Sequence, residues 1–172
     1  MGRGLRRIAA EIADRDRDRG IKDLAIIGIR RGGEPLVRRI ASLLLELEGS
    51  APPVGSVDIT LYRDDAATSL PNPRIGPSLI PFPLTGRRVL LVDDVIYTGR
   101  TIRAAVDAIL DYGRPRRIEL MVLVDRGGRE LPIQPDYAVR SLEVPSDLHV
   151  EVIERDGDLW ALMLPMSVEA RG

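Results

Sequence analysis

A chain of 172 residues with 44% hydrophobic and 30% charged side chains has the size and composition of one folded domain (1–172), in which about 70% of the unfolded surface can be buried. The absence of Cys excludes a disulfide framework, thiolate chemistry and any Cys-based zinc site. A net charge of −1 gives no bulk attraction to nucleic acid, no apolar run approaches the about 18 residues of a membrane span, and the Arg-rich start lacks the apolar core of a signal peptide, so the expected location is cytoplasmic.

Apolar residues at Leu5, Ile8, Ala9, Ile12 and Ala13 have helical spacing and predict a first helix over 5–19, with an alternating acid and base end. Residues 24–29, LAIIGI, predict a buried strand running into Arg30-Arg31-Gly32-Gly33 and then a helix over 36–47. Residues 54–62 predict a β-branched strand ending in Tyr62-Arg63-Asp64-Asp65. A Pro-rich tract follows as far as Gly86, long enough without structure to be a lid or binding loop, assigned to 66–85.

Four aliphatic residues, Val89 to Val92, predict a strand buried on both faces that stops at Asp93 and Asp94. Tyr97-Thr98-Gly99-Arg100-Thr101 is a turn, and Ile102, Ala105, Val106, Ile109 and Leu110 mark the next helix. Residues 118–124 are another buried strand leading into Asp125-Arg126-Gly127-Gly128-Arg129. The tail predicts strands at 149–154 and 159–164 around Asp156-Gly157-Asp158, a terminal hairpin on an otherwise mostly parallel sheet, with Trp160 as a packing residue and His149 on the strand surface. The fold class expected is α/β, three layers, with ligands at the carboxyl ends of the strands.

Strand, Gly-containing turn and helix N-terminus together make an anion site, because unpaired N–H groups and the helix dipole converge on one point. Thr98 and Thr101 add hydroxyls there, and Gly99 permits close approach. The loop at 30–33 repeats the design, and two such sites suit a substrate with two phosphate groups. Carboxylates placed just before an anion cradle would repel a bare phosphate, so Asp93 and Asp94 imply ribose hydroxyls and a divalent cation between them.

The string VLLVDDVIYTGRT resembles the phosphoribosyl-diphosphate signature of type I phosphoribosyltransferases, and its wording is similar to the family of pyrimidine-operon regulators and uracil phosphoribosyltransferases (PyrR). DITLYRDD and DRGGRELPI extend the resemblance over about residues 5–137, without the short segment that precedes the first helix in family members. The resemblance implies a type I phosphoribosyltransferase fold with a small hood at 125–146. By it, Asp93 and Asp94 hold ribose and support Mg2+ carried mainly by phosphoribosyl diphosphate. Val95 and residues 97–101 grip the 5′-phosphate, while Arg30, Arg31, Gly32 and Gly33 form the pyrophosphate loop. Arg63 closes on pyrophosphate, and Val124, Asp125 and Arg126 lie nearest the base. Family members carry Arg where this chain has Gly32, and His where it has Ala10 and Gly128.

The activity implied is uracil plus phosphoribosyl diphosphate giving UMP plus diphosphate. One alternative is an RNA-binding regulator that senses UMP and contacts pyrimidine-operon leader mRNA through Arg6, Arg7, Arg126 and Arg129. Another is transfer to a purine or orotate. A homo-oligomer, dimer or tetramer, is expected.

Overall fold

The computed structural model describes residues 2–15, 21–30, 32–62 and 78–166. Helix α1 (Gly2–Asp14) buries Leu5, Ile8, Ala9 and Ile12 on one face. Strand β1 (Leu24–Ile29) is buried at every position. Helix α2 (Glu34–Glu48) has Pro in its first turn, where a missing N–H costs nothing, and stops at Gly49, whose left-handed φ of 70° lets its N–H reach Leu45 O. Strand β2 (Val54–Val57), β3 (Arg88–Ile96), helix α3 (Arg100–Leu110), β4 (Arg117–Asp125) and β5 (Tyr137–Ser141) follow. A hairpin of β6 (Leu148–Arg155) and β7 (Asp158–Pro165) ends the described chain.

The main sheet has order β2-β1-β3-β4-β5, and every pairing in it is parallel. Alternation along the strands divides the core. Leu24, Ile26, Leu90, Val92, Met121 and Leu123 meet α1 and α2, while Ile27, Ile29, Val89, Leu91, Leu120 and Val122 meet α3. These are the expected three layers, with helices on both faces.

The expected boundaries shift in four places. Strand β3 does not stop at the acids. It stays paired with β4 through Asp93↔Val122, Val95↔Val124 and Ile96↔Asp125, because β4 is long enough to satisfy its backbone. Strand β2 ends at Val57 instead of continuing to 62, since the Asp58 carboxylate accepts the Thr60 N–H at 2.9 Å and turns the chain out of the sheet. Strand β5, half-exposed at the sheet edge, has too little apolar periodicity to be read from sequence. The hairpin is a separate two-stranded sheet and not an extension of the main one; Leu159, Val150, Val152 and Ala161 pack it onto the core beside α1 and α2. Trp160 lies on the opposite face of the hairpin, 54% exposed, and is not a packing residue.

The expected end of the first helix at 16–19 lies outside the described residues, as do Arg31, Arg63 and the first part of the 66–85 loop. The last part of that loop is tied down. Leu79 exchanges backbone hydrogen bonds of 2.8 and 2.9 Å with Ser56, and Leu84 is fully buried.

Candidate active site

The site is made by strands of unequal length. Strand β1 is paired with β3 only as far as Gly28↔Val92, whereas β3 continues along β4 past both acids. A crevice therefore opens beyond the end of β1, at the point where the chain order of the sheet reverses. The loop leaving β1 folds across it. A Cβ on Gly33 would stand 2.2 Å from Val92 O and 2.7 Å from Ile29 N, so only Gly fits this crossing. A Cβ on Gly32 would stand 2.5 to 2.8 Å from the Asp94 carboxylate, so the same loop lies directly against the second acid. A side chain at position 32 could not be placed there without moving the Asp94 carboxylate.

Helices α2 and α3 both begin at this crevice, each behind a Gly N-cap that makes no side-chain capping bond. Gly99 has φ 92°, the left-handed turn that aims the start of α3 back at the end of β3. Thr98 Oγ1 accepts the Arg100 N–H at 3.3 Å. Two uncapped helix starts flanking a pair of carboxylates make two anion cradles around an acidic centre.

Asp93 is 5% exposed, and Asp94 is half-buried. The Asp94 N–H donates to Asp93 Oδ1 at 3.0 Å, and the Val95 N–H donates to Asp94 Oδ1 at 2.8 Å. Burial, and then the neighbouring Asp94 carboxylate, push the Asp93 carboxyl well above the ordinary carboxylate range, with the Asp94 N–H partly offsetting them. The fold thus favours the neutral acid. Its stabilising effect is full at acid pH and is lost as pH rises through the raised folded value. Asn imitates the neutral acid, so Asp93→Asn is expected to raise Tm by about 2 °C or more at about pH 8. That gain should vanish toward about pH 4, the ordinary carboxylate range. Calorimetry of both proteins across that range checks it, and a destabilised variant at the alkaline end contradicts it.

The hood arches over the 97–101 loop. Glu130 and Leu131 donate their N–H groups to Thr98 O at 2.9 and 3.1 Å, and Arg100 Nε meets Glu130 Oε2 at 2.7 Å. Arg126 is buried at 5% exposure, stacks 3.9 Å from the centre of the Tyr97 ring and donates to Pro145 O at 3.3 Å. Its buried Nε has no hydrogen-bond partner among the described residues. The Tyr97 ring also fills the space above Gly128, where a Cβ would come within 2.3 Å of it. Asp125 Oδ1 accepts the Gly127 N–H at 3.0 Å and pairs with Arg129 at 2.7 Å. Arg30 lies 3.5 Å from Glu34 and 4.0 Å from Asp58 at the mouth of the crevice.

Of the expected site residues, Asp93, Asp94, Gly32, Gly33 and residues 97–101 therefore converge on one crevice, with 124–126 on its hood side. Arg6 and Arg7 are elsewhere, exposed on α1 and paired with Glu46 at 3.3 Å and Glu11 at 2.5 Å. Burial of Arg126 and the contacts of Arg129 take those two out of any exposed basic patch. Gly28 was missed. A Cβ on it would stand 2.7 Å from Val37, so it sets how closely α2 approaches β1, and its signal was a lone Gly inside an aliphatic strand.

The phosphoribosyl transferase domain family matches residues 1–156, and the chain belongs to it. Its fold is also that of a 1.4 Å crystal structure of the hypoxanthine phosphoribosyltransferase of Trypanosoma cruzi, with a TM-score of 0.69 at 19% identity over 96% of this chain and 92% of that one. A mutant of the same enzyme in a ternary substrates complex gives 0.70 at 20% identity, covering 99% and 92%. Within that class the chain is a member of the PyrR family. The Bifunctional protein PyrR of Roseiflexus sp. (strain RS-1) is 54% identical, over 99% of this chain and 93% of that protein. That of Deinococcus radiodurans is 53% identical, over 97% and 92%.

Proposed function

We propose that the crevice between β1 and β3 is where this chain transfers the phosphoribosyl group of phosphoribosyl diphosphate to uracil. The chain is a PyrR-like regulator with uracil phosphoribosyltransferase activity. The observation that carries the site assignment is the convergence of two uncapped helix starts on a buried acid pair, with Gly32 packed against Asp94. In the reaction a uracil nitrogen bonds to the anomeric carbon as its bond to pyrophosphate breaks, through a cationic, oxocarbenium-like state. Asp93 and Asp94 hold the ribose hydroxyls, and the Asp94 carboxylate offsets that positive charge. Residues 97–101 and Val95 hold the 5′-phosphate. Residues 30–33, with Arg63 from the segment after β2, neutralise the leaving pyrophosphate. Val124, Asp125 and Arg126 frame the base.

The donor set fits magnesium carried by the substrate. Two adjacent carboxylates are offered, and among the described residues no group of three or more His, Cys, Asp or Glu forms a metal cage. Oxygen-ligated magnesium takes one or two carboxylates and completes its shell with phosphates and water. The cation would be held at Asp93 and Asp94 and would supply charge neutralisation to the diphosphate.

A panel of uracil, hypoxanthine and orotate with phosphoribosyl diphosphate tests the reading. UMP is expected from uracil, with the other two bases turned over at least about 100-fold more slowly, a margin typical of sites that recognise polar groups. Equal turnover of another base overturns the assignment.

The regulatory role takes UMP as its signal and a pyrimidine-operon leader mRNA as its partner. In this chain Ala10 and Gly128 replace two His, and Arg126 and Arg129 are engaged inside the protein. Arg6 and Arg7 remain on the surface for phosphate contact, which positions RNA without reading its bases. Sequence-specific RNA binding is therefore weak or altered. Filter binding with and without UMP is the check, and nanomolar binding that discriminates a scrambled loop contradicts it. No helix among the described residues is long and apolar enough to cross a membrane. The working form is a cytoplasmic homo-oligomer, dimer or tetramer.

A further inference from the structure

Arg129 joins the two ends of the proposed nucleotide site through one side chain. It is 12% exposed, and its rigid fork points into the protein. Nη1 donates to Tyr97 O at 2.9 Å and Nε to Ile133 O at 2.8 Å. Nη2 lies 2.7 Å from Asp125 Oδ1 and 3.4 Å from Gln134 Oε1. Tyr97 opens the phosphate-side loop, Asp125 ends β4 on the base side, and Ile133 and Gln134 belong to the return of the hood. One guanidinium therefore spans all three segments. Leu131 and Ile133 lie over Gly99, 3.4 and 3.5 Å from where its Cβ would be, so the hood has little room to shift over the loop.

We propose that Arg129 is a positioning residue that holds the phosphate loop and the base-side end of β4 in register, and so sets affinity for ligands that occupy both. The inference rests on the reading of 97–101 as the 5′-phosphate site and of 124–126 as the base site. A nucleotide fixes the span between its base and its phosphate. Binding both ends at once is favourable only when the two subsites already stand at that span, because otherwise their ordering is subtracted from the affinity. Loss of the strut leaves the Thr98 backbone bonds to Glu130 and Leu131 in place, so the phosphate loop itself keeps its shape. Lys cannot replace Arg here. It keeps a charge for Asp125 but lacks the planar fork that reaches two carbonyls as well.

Calorimetric titration of the full chain, with UMP and separately with ribose 5-phosphate, tests the proposal alongside thermal melts. Arg129→Gln and Arg129→Lys are each expected to weaken UMP at least about tenfold while changing ribose 5-phosphate by less than about threefold, since only UMP needs the register. Equal weakening of both ligands, or unchanged UMP affinity, overturns the positioning role. Failure of both variants to fold also overturns it, leaving Arg129 a purely structural residue. If the unsubstituted chain binds ribose 5-phosphate but neither binds UMP nor turns over uracil, the base assignment under the proposed function has failed instead.

Discussion

Asp94→Asn is expected to lower kcat at least about tenfold, equivalent to about 1.4 kcal/mol of transition-state stabilisation, with the fold intact. Asp94 is the more open of the two acids and lies under the Gly32–Gly33 loop. Its Oδ1 accepts the Val95 N–H at 2.8 Å, a bond that an Asn carbonyl can keep. What the substitution removes is the negative charge facing the crevice. In the proposed reaction positive charge grows at the anomeric carbon, so a fixed carboxylate acts more strongly on the transition state than on bound substrate, and its loss appears in kcat. Losses of about a hundredfold are common for a single preorganised group of this kind. The measurement is steady-state turnover with saturating magnesium and both substrates, beside a thermal melt. An unchanged rate removes the mechanistic core of the proposal.

The two Asp variants separate the acids by different observables. At Asp93 the fold itself opposes ionisation, through burial and the adjacent carboxylate, so the expected signature is a pH-dependent gain in stability. At Asp94 the expected signature is catalytic. A natural protein that keeps a buried acid against its own stability trades stability for function, and the pair shows which residue carries each side of that trade.

The parts legible in the sequence were those encoded locally. The aliphatic run of β3, the Thr-Gly turn and the helical spacing of α3 are each contained within a few residues, and the structure has all three. The acid pair stood out because carboxylates are out of place before an anion cradle. Where β3 ends was not legible, because that depends on how far β4 runs beside it, a partner more than 20 residues away. Nor was the contact between Gly32 and Asp94, which exists only because β1 stops short of its neighbour. Position 32 reads in sequence as one Gly of a pair, whereas in space it is where an added Cβ would press on the Asp94 carboxylate. Arg129 reads as one more basic residue in an Arg-rich hood; its partners Asp125, Ile133 and Gln134 are near in sequence, but the Tyr97 carbonyl that ties it to the other loop is 32 residues away and is brought to it only by the fold. Trp160 misled for a related reason, since alternation in a hairpin does not say which face meets the core.

Gly33→Ala is expected to destabilise the protein by about 3 kcal/mol or more, at the upper end of the cost of overpacking. At this chain length each kcal/mol moves Tm by about 2–4 °C, so a fall of about 6–12 °C should be seen. The backbone angles of Gly33, φ −78° and ψ −29°, suit any residue, so the penalty is one of space and not of torsion. The added methyl would stand 2.2 Å from Val92 O, 2.7 Å from Ile29 N and 3.0 Å from Ile29 O. All three are backbone atoms of β1 and β3, strands buried at the centre of the sheet, and none can swing aside as a side-chain end would. The loop must lift instead. Lifting it stretches the Gly33 N–H bond to Ile29 O, now 2.9 Å, and shifts the start of α2, whose Leu36 and Val37 N–H groups both donate to Gly33 O. Gly32 would rise from Asp94 with it, so uracil turnover should fall as well, and by more than the loss of folded protein explains. A thermal melt within about 2 °C of the unsubstituted protein would show that the loop does not cross β3 as tightly as these distances require.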